Sequence, residues 1–229
     1  MHHAHPFYSM KNEYDWSGGA KISIDAESAR ERQARVVKSG RNWEKYVKLS
    51  LGAKLEGTDI EILWEKEAKN RQELEELLSL PTGYKNESVW DDVDMLALKD
   101  GLPIAIINCK SSIHGRFSFY FWALLCRINK RVKFLVVSPD SGAGQDKWKS
   151  EWGTPEKPSK YRELARRYVD GVYVENVSEF CKNIAEGQGT AFGDVVRHLD
   201  ELSEDLMRWS KDLKFYGKRV KKGKLESFV

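Results

Sequence analysis

Residues 91–112 read DDVDMLALKDGLPIAIINCKSS, two apolar runs on either side of Lys99-Asp100-Gly101. Both runs have strand length, the second is rich in isoleucine, and an Asp-Gly between apolar runs is a hairpin signal. Side chains alternate faces along a strand, so the loop length fixes which residues share a face. With Lys99, Asp100 and Gly101 as a three-residue loop and Gly101 left-handed, Leu98 pairs with Leu102 and Asp94 with Ile106. Asp94 then shares a face with Asn108 and Lys110. Asp92 has the same parity and falls opposite Asn108, whereas Asp91 points the other way. A two-residue Asp-Gly loop would instead move Asp94 to the opposite face. Val93, Met95, Ala97, Ala105, Ile107 and Cys109 make the second face apolar too, which predicts interior strands covered on both sides.

An acid at one strand start and a polar-x-lysine at the end of the next are arranged as in metal-dependent nucleases. DVDMLALKDGLPIAIINCKSSIHGRF, about a tenth of the chain, resembles the core of the PD-(D/E)xK nuclease superfamily, and its CKSSIHGRF continuation is similar to type II restriction endonucleases. The resemblance implies an α/β fold with a restriction-endonuclease-like core: a central mixed β-sheet flanked by helices, with additional N- and C-terminal helical segments. It also implies one or two Mg²⁺ ions, with Mn²⁺ able to substitute. Asp94 takes the metal-binding acid position, with Asp92 as second choice, Asn108 the second-acid position, and Lys110 that of the catalytic lysine. The departure is Asn108, an amide where the family usually has Glu or Asp. An amide oxygen still ligates a hard cation but brings no charge.

The missing charge points to Glu44, in GRNWEKYVKLSL, where Trp43, Val47 and Leu51 recur at helical spacing. The family commonly places a glutamate on a helix before the core strands. The alternative is a solvated Glu44 pairing with Lys48 one turn on. Ser111, Ser112, His114 and Arg116 follow the lysine, and of these Arg116 is the expected phosphate contact; the serines read as a polar turn opening the helix FSFYFWALLCRI. The loop SGAGQDKWKSEWGTPEKPSK, residues 141–160, is long and combines Trp148 and Trp152 with Gln145, Lys147 and Lys149. It is expected to contact DNA or a second subunit, groups of this kind being readers of base edges. The alternative is a surface excursion whose tryptophans cover a core edge.

The 229 residues suffice for one well-cored domain. The expected division is a single nuclease domain over 1–229: an arm at 1–27, a helical region at 28–80, the nuclease core at 84–180 with its 141–160 loop, and a C-terminal helix with basic tail at 190–229. Hydrophobic residues at 41% and charged residues at 32% fit a globular protein, and no run approaches the roughly 20 apolar residues that span a bilayer. The opening MHHAHPFYSMKNEYDW lacks the features of a secretory signal, and its histidines at 2, 3 and 5 read as terminal rather than metal-binding. Cys109, Cys126 and Cys181 are widely spaced and odd in number, which predicts reduced thiols in the cytoplasm and argues against a zinc site or a thiol catalyst. A net charge of +3 excludes a strongly basic coat protein, although the tail KFYGKRVKKGK is basic.

Function therefore reads first as a Mg²⁺-dependent type II restriction endonuclease cutting double-stranded DNA at a short palindrome. A homodimer is expected, and a cognate DNA methyltransferase is the expected functional companion. Two alternatives stand beside it: a structure-specific repair nuclease or junction resolvase on the same core, and a non-catalytic DNA-binding protein suggested by the neutral Asn108.

Overall fold

The two apolar runs become the interior of a six-stranded mixed sheet. The computed structural model describes residues 29–72, 74, 79–81, 88–90, 93–111, 113, 123, 132–140, 150–175 and 192–212. In chain order these give helix α1 (Ala29–Lys54), strand β1 (Ile60–Trp64), helix α2 (Glu65–Lys69), β2 (Ser79–Pro81), β3 (Ser88–Trp90), β4 (Met95–Lys99), β5 (Leu102–Cys109), β6 (Lys133–Ser138), helix α3 (Lys160–Tyr168), β7 (Gly171–Val174), β8 (Val196–His198) and, after a 3-10 turn at Leu199–Glu201, helix α4 (Leu202–Asp212). The main sheet runs β1-β4-β5-β6-β7-β8, antiparallel through its first two pairings and parallel through the last three. Strands β2 and β3 form a separate antiparallel pair. Among the described residues no helix is long and apolar enough to cross a membrane.

The hairpin corrects the expected loop. Lys99 pairs with Leu102, so the loop is Asp100-Gly101 alone, with φ of +51° and +75°. Positive φ at both central residues is the signature of a type I′ turn, whose twist suits the flanking strands. A one-residue register shift between Ala97 and Leu98 then leaves Ile104 as the extra residue on β5, beside Pro103. Proline has no N–H for the ladder, which is why a bulge is accommodated here in a central strand. The loop is one residue shorter than expected and the bulge one longer, so parity is restored beyond it. Met95 pairs with Ile107, and Asp94 comes level with Asn108 rather than Ile106. A Gly101→Val variant, strained at this φ, is expected to lose roughly 1–3 kcal/mol in denaturant unfolding.

Apolar layers cover both faces. On one side Trp43, Val47 and Leu51 of α1 and Leu202 and Leu206 of α4 pack on Met95, Ala97, Ile107 and Cys109. On the other, Tyr161 and Ala165 of α3 pack with Trp152 on Leu96, Ile106, Phe134 and Val136. This agrees with the expected α/β fold with interior strands.

Two expected helical stretches contain sheet edges instead. The region 28–80 holds β1, an edge strand beside β4, and the C-terminal stretch beginning DVVRHLDE holds β8 before α4 starts at Leu202. The sheet thus draws strands from 60 to 198, beyond the expected core limits of 84 and 180. The helix expected at 117–128 lies outside the described residues except for Ala123, which is helical and buried.

Candidate active site

Past Met95 the hairpin strands part, and that parting builds the site. The Asp94 N–H still donates to the Ile107 carbonyl (3.3 Å), but its side chain reaches across to the end of β5, where Oδ2 accepts the Cys109 N–H at 2.6 Å and Lys110 Nζ at 3.4 Å. Lys110 follows the last residue of β5, and its own N–H donates to the Val137 carbonyl of β6 at 2.9 Å. The same carbonyl accepts the buried Trp43 indole N–H at 3.1 Å. One oxygen therefore fixes both the backbone of Lys110 and the residue preceding Glu44 on α1.

Glu44 stands at the border of the buried stripe of α1 formed by Ser39, Trp43, Tyr46, Val47, Ser50 and Leu51. Together with Val37, Gly40 and Arg41 it forms one wall of a cleft of about 860 Å³; Trp64 and α2 form a second, and Asp94, Cys109, Lys110 and Ser111 the floor. Burial, and then the Asp94 carboxylate, raise the Glu44 carboxyl from its ordinary 4.5 to about 7, against the opposing pull of Lys110 and Arg41. The alternative partner expected for Glu44, Lys48, binds Glu67 at 2.7 Å and lies over the Trp64 ring. Burial, with Asp94 and Glu44 nearby, raises the Cys109 thiol well above its usual range, so it stays protonated at neutral pH.

Of the expected site residues, the fold brings together Asp94, Lys110 and Glu44. Asn108, expected in the second-acid position, is fully buried in β5 and is not among the residues lining the cleft. Strand alternation explains this, because Cys109 faces the α1 layer and turns its neighbour Asn108 toward the opposite one. Asp92, Arg116, Gln145, Lys147 and Lys149 lie outside the described residues, as does the basic tail. Trp152 is corrected as a contact residue, since it is fully buried in the α3-side core and fits the alternative of a tryptophan covering the sheet. The chain on either side of 141–149 is joined by the buried Asp140, which accepts the Ser150 hydroxyl and the Glu151 N–H (2.8 Å). Glu151 in turn accepts the Ile113 N–H at 3.1 Å, tying this junction to the segment just past Lys110.

The sequence reading missed Arg41 and Lys66 as cleft residues. Spacing from Glu44 puts Arg41 on the same face of α1 one turn earlier, a signal available without coordinates. Among the described residues, no group of three or more His, Cys, Asp and Glu side chains is disposed to hold a metal ion. The carboxylates lining the cleft are Glu44, Glu65, Glu67 and Asp94, and after burial the repulsion from Asp94 is part of what raises Glu44.

A family model described as BsaWI restriction endonuclease type 2 matches residues 67–198, more than half of the chain, including Asp94 and Lys110. The chain belongs to the BsaWI family of type 2 restriction endonucleases. Solved structures agree with a BsaWI-family fold. The structure of the pre-specific restriction endonuclease BsaWI–DNA complex is similar over 90% of this chain and 73% of that one, at 14% identity and a TM-score of 0.53. That of the specific restriction endonuclease AgeI–DNA complex is similar over 67% of this chain, at 16% identity and a TM-score of 0.50, and the chain spans 60% of the AgeI chain. No curated protein matches the sequence. Glu44, on α1, falls before the first residue matched by the BsaWI family model, so its place beside Asp94 and Lys110 rests on the tertiary structure.

Proposed function

We propose that this BsaWI-family chain is a type II restriction endonuclease that hydrolyses phosphodiester bonds of double-stranded DNA at a short palindrome, with Mg²⁺ as cofactor and Mn²⁺ as a substitute. The convergence of Asp94, Glu44 and Lys110 on one cleft carries this reading. Two carboxylates lining one cleft fit a hard cation that takes one or two protein carboxylates and fills its remaining positions with water and substrate phosphate. When bound, such a cation polarises the scissile phosphate and offsets the charge that develops on the leaving oxygen.

The chain's own residues do the rest. Asp94 is held in place by the Cys109 N–H, so it meets the cation without first reordering. Glu44, raised to about 7, would have to give up its proton to hold such a cation, so cation binding would strengthen with pH across neutrality. Lys110, anchored through its backbone to β6, presents a point charge to the attacking water or to a phosphate oxygen. Asn108, in the expected second-acid position, is fully buried at the end of β5.

Cutting both strands of a palindrome is most simply done by two copies of this site related by a two-fold axis, so the active form is a homodimer. A cognate methyltransferase in the same cytoplasm protects the host DNA, and residues 1–229 act as one nuclease domain.

Incubation with long mixed-sequence DNA and Mg²⁺ is expected to give discrete fragments. Cleavage confined to branched DNA would identify a resolvase instead, and binding without cleavage a non-catalytic protein on this fold.

A further inference from the structure

The charges around the cleft are unevenly matched. Most of its acids are already engaged inside the molecule: Glu67 with Lys48 at 2.7 Å, Glu65 with Lys69, and Asp94 with Lys110 at 3.4 Å. Two cations lining the same cleft are not engaged in this way. Arg41 on α1 and Lys66 on α2 are both exposed, and neither has an ion-pair partner among the described residues. They come from the two helices that line the cleft together with Asp94 and Lys110.

A DNA strand that brings a phosphate to that floor also brings the neighbouring phosphates to the walls. There it meets carboxylates that are already neutralised and cations that are not. An exposed cation without a local partner gives up no existing ion pair when it binds a phosphate, and it releases condensed counterions from the DNA. Arginine and lysine at such positions fix the register of the duplex without reading bases.

We propose that Arg41 and Lys66 are backbone-phosphate contacts flanking the scissile position, one from each wall of the cleft. This inference rests on the reading of the cleft as a DNA-cleaving site. Arg41 has a competing role, since its charge also lowers the Glu44 carboxyl, and the two roles give different signatures.

The test is binding of the full chain to a mixed-sequence DNA duplex in EDTA, followed over a salt series. Arg41→Gln and Lys66→Gln are each expected to flatten the slope of log K against log salt by about 0.9, and the double variant by about twice that. Lys99→Gln, which removes a cation already paired with Asp59 at 2.9 Å, serves as the control and keeps the wild-type slope. Unchanged slopes in both cleft variants, with wild-type binding still salt-dependent, overturn the inference and leave the DNA-cleaving reading intact. An Arg41→Gln variant with an unchanged slope but a pH–cleavage midpoint moved upward overturns the contact for Arg41, whose charge then acts on Glu44 alone. Wild-type binding that is indifferent to salt overturns both the inference and the reading beneath it.

Discussion

Asp94→Ala and Lys110→Ala are each expected to reduce DNA cleavage by roughly a thousandfold or more, the scale on which preorganised charge at a reacting phosphate acts, with the fold and the affinity for DNA in EDTA retained. For Lys110 the fold is protected because what anchors this position is its N–H on the Val137 carbonyl, which the substitution leaves in place. For Asp94 the alanine variant also strips the acceptor from the Cys109 N–H, at a cost of about 1–3 kcal/mol for a partly buried donor. Asp94→Asn separates the two effects, since it retains an acceptor oxygen for Cys109 and loses only the charge. Single-turnover cleavage should be as low in Asp94→Asn as in Asp94→Ala, with a melting temperature closer to wild type. Wild-type cleavage rates in either Asp94→Asn or Lys110→Ala would remove these residues from the site.

Glu44→Gln is expected to abolish cleavage and, without divalent cation, to make the protein more stable above pH 7. The folded-state carboxyl titrates near 7 against an ordinary 4.5, so the folded chain holds this proton more tightly than the unfolded chain. The resulting stabilisation is complete below about pH 4.5 and is lost as pH rises through 7. At about 1.4 kcal/mol per pH unit the gap corresponds to an upper limit of roughly 3 kcal/mol, and the half-exposed position of the side chain reduces the expected gain to about 1 kcal/mol at pH 8. Glutamine cannot ionise, so the variant escapes this loss, and its advantage should vanish near pH 5. Adding Mg²⁺ at pH 8 should stabilise the wild type by linkage and leave Glu44→Gln unmoved. Urea unfolding at several pH values, with and without Mg²⁺, reads all of this. Full activity in Glu44→Gln would return Glu44 to a solvated helix face.

Burial is the largest cause of the raised Glu44 carboxyl and Asp94 the next, and a cation held by these two carboxylates would offset the second.

The hairpin illustrates how far local sequence carries. Asp-Gly between two apolar runs predicted the turn, and the apolar character of both faces predicted interior strands, because each depends on neighbours in the chain. The loop length was misread by one residue, and the bulge beside Pro103 compensated for it. The parity argument thus kept Asp94 opposite the end of β5 through two offsetting changes. Beyond that point Asp94 is no longer in a strand and turns toward Cys109 and Lys110, while Asn108 stays in β5 and is fully buried. The short edge strand β8 was read as helix, and β1 was passed over within the helical region 28–80, because three to five residues show too little periodicity to compete with the helical patterns beside them.

The sequence by itself determined the central elements and their chemistry: an acid and a lysine at the ends of adjacent strands, a glutamate on a helix with an apolar stripe, and the nuclease family that combination resembles. Only the tertiary structure decided that Glu44 stands beside Asp94, that Asn108 does not line the cleft, and that Arg41 and Lys66 border it. The physical reason lies in one contact across 94 residues of chain, the Trp43 indole N–H on the Val137 carbonyl that also holds Lys110. Local pattern says which side of a helix is apolar, but a long-range hydrogen bond and the packing around it set which of its turns meets the end of which strand.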